Sequence, residues 1–354
     1  MDKVYALLGL ASDGPTIIPR PTYKWPVETV LTGMTRIMLE KKKCLDLITL
    51  KLPVSNHAGL PSWVPDWTEL DRAIGPGQPS WVSDWTELDR AGPGQERRIS
   101  SPENEYIHLR FYGNALEVRG RRLHTIDGVT SSIYDGRQIT PMTQPSQRGN
   151  KQIMSKSQFW ALLSMRAFPS GSDKLRLAQT SDICSPDGEQ LINQQFPALA
   201  AWLQTNKELE MGGKQLGSYF EPVYATPVWA GKTLFGKRRR PLKEWYDDID
   251  DTLWKQPKFS DLGLERFLQW AQGTLEQGLK LVITTRGVVG LAPARTQSND
   301  QVYLIDGCSV PVILRNREGG LEVIGEAHYL SSLKGTEATT TLEESGAKHR
   351  LTLI

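Results

Sequence analysis

From residue 279 onward the chain is written in short apolar segments, each cut off by glycine, proline or an Asn-Asp pair. The segments are 279–284, 287–291, 301–305, 310–315 and 321–329, with 350–354 as a last candidate. Runs this short, spaced for hairpins, do not make helices. They predict a small, mostly antiparallel sheet or partial barrel. A strand face that apolar must be covered, so the remainder of the chain has to supply the cover.

Helical patterns dominate upstream. Val27, Val30, Leu31, Met34, Ile37 and Met38 recur at helical spacing behind Pro26, which suits a first turn, and predict a helix over 26–42. Lys41, Lys42 and Lys43 fall at its C-terminal end, where positive charge is favoured. Further helices are expected at 2–10, 157–167, 188–210 and 258–278. Segments 106–112 and 116–126 alternate about Gly113-Asn114 and read as a hairpin. Residues 136–157 read as polar loop. The fold class expected is therefore α+β, with a helical N-terminal and central part packed on the C-terminal sheet. Residues 1–278 form the mainly helical region, including a Trp-rich loop at 61–95 and the hairpin at 106–126. Residues 279–354 form the β region, and the two make one intimate unit.

The loop at 61–95 says its piece twice. PSWVPDWTELDRAIGPGQ (61–78) is followed at once by PSWVSDWTELDRAGPGQ (79–95), the copies differing by Pro65 against Ser83 and by Ile74, which the second lacks. This reads as a tandem duplication. The first copy, which keeps Pro65, is expected to be the docked one.

Bulk composition excludes several classes. The chain has 354 residues, 39% hydrophobic and 23% charged, which is a globular balance. A net charge of +2 gives no electrostatic reason to expect nucleic acid or an anionic membrane as partner. No apolar run reaches the ~18 residues a membrane-spanning helix needs. Three distant cysteines (Cys44, Cys184 and Cys308), no CxxC pair and no Asn-X-Ser/Thr site fit a reduced, cytoplasmic protein. The five histidines are scattered, so no metal site is read from their spacing. Gly231-Lys232-Thr233 resembles the end of a phosphate-binding loop, but Thr226 stands where its first glycine belongs. No dinucleotide fingerprint and no nucleophile elbow occur, and no cofactor is expected. The basic run Lys237–Arg240 is followed by an acidic one at 244–251 and reads as a self-neutralising surface.

Three stretches together resemble one family. They are Asp2-Lys3-Val4-Tyr5-Ala6-Leu7-Leu8-Gly9-Leu10-Ala11, then Leu60-Pro61-Ser62-Trp63-Val64-Pro65-Asp66-Trp67, then a C-terminal series. The series is Thr285-Arg286-Gly287-Val288-Val289-Gly290-Leu291-Ala292-Pro293, Asp306-Gly307-Cys308 through Pro311-Val312-Ile313-Leu314-Arg315, and Ile324-Gly325-Glu326-Ala327. In this order the chain resembles the C-terminal region of fungal heterokaryon-incompatibility (HET) proteins. In that family an N-terminal domain distantly like TIR modules precedes the first stretch and is held responsible for cell death. The resemblance therefore implies a regulatory or scaffold half standing alone, recruited to another task, or else a fragment.

Within this pattern the prolines of 60–67 enforce an extended chain. Trp63 and Trp67 either anchor the loop to the helical core or line a pocket, and Asp66 is placed to accept a hydrogen bond. With eleven Trp, ten Tyr and eight Phe the chain has material for an aromatic pocket, although the duplication supplies four of the tryptophans. Alternation places Glu326 and His328 on one face of a strand, where they form either a rim salt bridge or a proton-transfer pair. The candidate set is Glu326 and His328 as catalytic residues, with Tyr5, Trp63, Trp67 and Trp229 binding substrate. Two functions are expected from these features. One is a cofactor-independent enzyme of fungal secondary metabolism, a cyclase or isomerase such as a Diels–Alderase, acting on an apolar terpenoid- or polyketide-like molecule. The other is a non-catalytic HET-related protein of self/non-self recognition.

Overall fold

The computed structural model describes residues 4–5, 14–18, 22–42, 44–50, 59–69, 107–134, 137–146, 154, 156–163, 186–211, 213–220, 264–276, 278–329 and 347–354. Trp229, the second copy of the duplicated loop, the basic run Lys237–Arg240 and the acidic stretch 244–251 lie outside the described residues.

The first long helix, α1, covers Val27–Lys42. It starts at Pro26, whose carbonyl accepts the N–H groups of Thr29 and Val30. The apolar stripe read from the sequence is the face it buries: Val30, Leu31, Met34 and Leu39 are buried, with Ile37 and Met38 packed at the margin. Four more helices follow: α2 (Lys156–Leu163), α3 (Pro186–Gln195), α4 (Pro197–Asn206) and α5 (Leu264–Glu276). The single helix expected over 188–210 is thus two. Phe196 takes φ −125° and ψ 60°, and Pro197 opens α4. Proline lacks the N–H a continuous helix needs and crowds the residue before it out of the helical region.

The strands are β1 (Leu109–Tyr112), β2 (Ala115–Val129), β3 (Ser132–Tyr134), β4 (Arg137–Thr140), β5 (Glu210–Met211) and β6 (Lys214–Gln215). After α5 come β7 (Leu279–Thr284), β8 (Val289–Pro293), β9 (Gln301–Ile305), β10 (Val312–Arg317), β11 (Gly320–Glu326), β12 (His328–Tyr329) and β13 (His349–Leu353). Nine of them form one sheet that is antiparallel throughout except where β11 meets β13. β3–β4 and β5–β6 are separate two-stranded ribbons.

β2 organises the large sheet. Its fifteen residues pair successively with β1, β13, β9 and β7. Register shifts at Arg122/His124 and Ile126/Gly128 let one strand serve two directions. Gly120 sits where it passes between β13 and β9, and a Cβ there would lie 2.7 Å from the Leu304 carbonyl. Because β2 lies upstream of 278 and most of its partners lie downstream, the sheet spans the boundary expected between the helical and β regions.

The pairings close on themselves. From β2 the hydrogen bonds run to β7, β8 and β12; the chain itself links β12 through Ala327 to β11, from which hydrogen bonds run on to β10, β9 and back to β2. Every strand of this ring, or its connecting residue, gives a side chain to one apolar cluster: Leu123, Ile126, Val129, Val282, Ala292, Val302, Leu304, Ile313, Ile324 and Ala327. Alternate residues point the other way. Tyr303, Ile305, Val312, Leu314 and Val323 join Leu31, Met34, Leu45, Ile48 and Trp63 in a second cluster. Leu279, Leu281, Ile283 and Leu291 join Phe159, Trp160, Trp202, Phe267 and Leu268 of the helices in a third. The molecule is α+β, with a large, mostly antiparallel sheet.

Candidate functional site

The first copy of the duplicated loop is built into the wall of the second cluster. Trp63 has no exposed surface, packs tilted against Phe111 with 5.5 Å between ring centroids, and donates its indole N–H to the Asn114 carbonyl at 2.8 Å. Trp67 donates to the Thr35 hydroxyl of α1 at 3.0 Å. The Asp66 carboxylate accepts both the backbone N–H and the hydroxyl of Thr68, forming a local turn. Ser62 reaches the sheet: its hydroxyl accepts the Val323 N–H at 2.8 Å, while its own N–H donates to the Ile354 carbonyl. Tyr5 is buried too, its hydroxyl donating to the Thr22 carbonyl at 2.6 Å with Tyr23 edge-on to its ring at 5.2 Å. Tyr5, Trp63 and Trp67 thus share one side of the molecule, each with its polar atom engaged by the protein.

Glu326 and His328 come together at the opposite end of β11. The imidazole Nε2 lies 3.1 Å from a Glu326 oxygen, and both side chains are about one-fifth exposed, at 17% and 21%. Two local features aim them. Gly325 has φ +144°, in a region natural to glycine, and a Cβ there would stand 2.7 Å from Pro293 Cγ. His328 then pairs with Leu291 of β8, so it lies on the wall facing away from the ring's interior.

Asp46 completes this cluster, a partner the sequence pattern does not reveal. It sits in a short 3-10 turn, Leu45–Thr49, that docks on the β9–β10 turn through the Leu45 N–H and the Gly307 carbonyl. One Asp46 oxygen accepts the Ser309 N–H at 2.6 Å and the other accepts the Cys44 thiol at 3.5 Å. Burial raises the Asp46 pKa above the usual carboxylate value against the opposing pull of Ser309, and the Glu326 charge adds to the rise. Burial also pushes the Cys44 thiol up to about 12, with Asp46 adding, and raises Cys308 well above its ordinary value. Neither cysteine is a nucleophile near neutrality. Among the described residues, no group of three His, Cys, Asp or Glu side chains is placed to hold a metal ion.

No family model matches the chain, no curated protein is similar to it, and no solved structure matches it.

A second polar constellation lies on the inner side of the same wall. Lys280 stands between Leu279 and Leu281 on β7 but faces the other way, with no exposed surface. Its Nζ donates to the Thr140 hydroxyl at 2.8 Å. Nearby, Arg315 grips both oxygens of Asp300 at 2.8 and 2.9 Å, and Arg295 and Arg317 hold the two oxygens of Glu322 at 2.8 Å each. Burial lowers the Lys280 pKa to about 7; Asp300 opposes the shift and Arg315 assists it. The sequence carries one signal for this site, a lone lysine inside an otherwise apolar strand, Leu-Lys-Leu-Val-Ile. Among the described residues, no helix is long and apolar enough to cross a membrane.

Proposed function

We propose that the protein is a cofactor-independent cyclase or isomerase of fungal secondary metabolism, working in the cytoplasm on a scaffold of the HET C-terminal type. Its substrate is an apolar terpenoid- or polyketide-like molecule, and a pericyclic step such as a Diels–Alder closure is within its chemistry. The observation that carries this reading is the Glu326–His328 contact at 3.1 Å, about one-fifth exposed, with the half-buried Asp46 carboxylate close enough to feel the Glu326 charge. A carboxylate holding an imidazole fixes its ring orientation and tautomer, which is how a histidine is readied for proton transfer. Asp46, whose pKa burial raises, is held in place beside the pair by the Ser309 N–H and the Cys44 thiol that its two oxygens accept. Enforced folding of a flexible substrate would supply the remainder of the rate.

A second reading, a non-catalytic HET-related recognition protein, is favoured by one specific observation. The N–H groups of Trp63 and Trp67 and the Tyr5 hydroxyl are all engaged within the protein, so the most recognisable motif serves architecture.

The test is a panel of apolar polyenes and polycyclic compounds, scored by tryptophan fluorescence quenching and by product analysis. Glu326→Gln and His328→Asn should each lower conversion by roughly 10²–10⁴-fold while leaving quenching intact. Quenching with no conversion by the wild type, or conversion unaffected by both variants, removes the enzymatic reading. Absence of both signals across the panel favours the second.

A further inference from the structure

We propose that Lys280 is a carbonyl-capturing amine, which condenses with an aldehyde or ketone to form an imine inside the strand ring. The proposal is independent of the reading above. His328 pairs with Leu291, whereas Lys280 pairs with the next residue, Ala292, so the two groups lie on opposite faces of one sheet.

The placement of the amine comes first. Leu279, Leu281 and Ile283 turn toward the helices, which leaves Lys280 and Val282 turned toward the ring. An ammonium carries three N–H groups and needs partners for each when it is out of water. Among the described residues Lys280 has one, the Thr140 hydroxyl. That hydroxyl lies 3.0 Å from the Ala294 carbonyl and 2.8 Å from the Ser132 hydroxyl. The carboxylate best placed to balance a charge, Asp300, is spent on a two-point contact with Arg315 and on the Gln297 N–H. Glu322 is likewise divided between Arg295 and Arg317. The groups around Lys280 therefore suit an uncharged amine with its lone pair free. The lowered pKa agrees: near pH 7 about half of the molecules hold Lys280 in the nucleophilic form.

The chemistry balances without an oxidant or reductant. The Nζ lone pair attacks the carbonyl carbon, and a C–N bond forms as the carbonyl π pair moves to oxygen. A nitrogen proton passes to that oxygen, for which the hydroxyls of Thr140 and Ser132 form a short relay. Loss of water breaks the C–O bond, expels the second nitrogen proton and leaves C=N. The product is a covalently held imine able to draw electrons from the adjacent carbon, and hydrolysis reverses the capture. The ligand class is thus a small aldehyde or ketone.

The experiment uses the wild-type chain with propanal and cyanoborohydride at pH 6–8, followed by peptide mass mapping. An ordinary lysine holds on the order of 10⁻³ or less of its amine uncharged at pH 7. Lys280 is therefore expected to carry the propyl group first among the lysines, with an apparent pKa near 7. The α-amino group, mapped on its own peptide, is the internal reference. Lys280→Arg, confirmed folded by its melting curve, should lose this fast site. Thr140→Val should slow it and leave surface lysines unchanged. Labelling of surface lysines and the α-amine with Lys280 unmodified overturns the proposal, as does a Lys280 rate that does not level off above pH 7.

Discussion

The Trp63 indole donates to the Asn114 carbonyl across 51 positions of sequence, at 2.8 Å. One bond thereby pins the first copy of the duplicated loop to the turn between β1 and β2. Trp63→Phe keeps a ring against Phe111 but loses the N–H and part of the volume, and is expected to cost about 2–3 kcal/mol. Trp67→Phe, at a half-buried site, is expected to cost about 1 kcal/mol. Urea unfolding of both variants measures the difference; equal costs would mean that Trp63 is not the main anchor.

Gly325 sets the aim of Glu326. With φ +144° and Pro293 Cγ 2.7 Å from the place a Cβ would occupy, Gly325→Ala is expected to lose about 2–3 kcal/mol. It should also part the Glu326–His328 contact. The His328 imidazole resonances, recorded by NMR at one fixed pH, should move toward those of Glu326→Gln.

Lys280 gives the molecule an alkaline dependence whose direction is fixed. The unfolded chain keeps the Lys280 proton up to its ordinary 10.5, whereas the folded chain releases it near 7. Between those values the unfolded state binds more protons, so this group's contribution to stability increases with pH across the window and is flat below it. Lys280→Met should remove that slope and be on the order of 4 kcal/mol less penalised at pH 6 than at pH 10, relative to wild type. Denaturant midpoints at the two pH values give the comparison.

His124 produces a second dependence on the acid side. It is buried on β2, and neither ring nitrogen has a hydrogen-bond partner. Burial, assisted by Arg286, lowers its pKa from 6.5 to about 4. The unfolded chain takes up this proton first as the pH drops from 6.5, so stability falls through the window between 6.5 and 4. His124→Leu should flatten that limb by about 2–3 kcal/mol and be neutral or mildly stabilising at pH 7, since it removes two unsatisfied polar atoms. A melting temperature at pH 4.5 no higher than wild type would contradict this.

The parts of the fold legible in the sequence are those with an uninterrupted period. The stripe of α1 and the strands 279–284 and 301–305 fall where alternation and spacing put them. β2 extends past the 116–126 that alternation predicts because its two bulges shift the alternation, so Leu123 and His124 are both buried and the pattern past Ile126 does not look like a strand. β8 begins at Val289, two residues later than the apolar run suggests, since Gly287 at φ +79° belongs to the preceding turn. The Glu326–His328 contact is legible because the two residues stand two apart, although the single strand expected over 321–329 divides at Ala327 into β11 and β12. Asp46 is not: it arrives from 280 positions upstream through the docking of Leu45 on Gly307, a tertiary event with no local trace. Lys280 was overlooked because a lysine in a strand ordinarily reaches water along its own stem.

The shared strand β2 also says something about how the chain must be made. Its Thr130 end bonds to Leu281, 151 positions later, and its Leu116 end waits for Leu353. On a ribosome β2 is therefore complete, with only β1 available to pair its first residues, long before β7, β9 and β13 have been synthesised. The ring cannot assemble progressively from the N-terminus; it closes in a late, concerted step. Until then the part of this apolar strand that β1 does not pair has to be kept from pairing with its neighbours on other chains. Yield in the cell should accordingly be governed by chaperone supply and translation rate more than by the stability of the finished molecule.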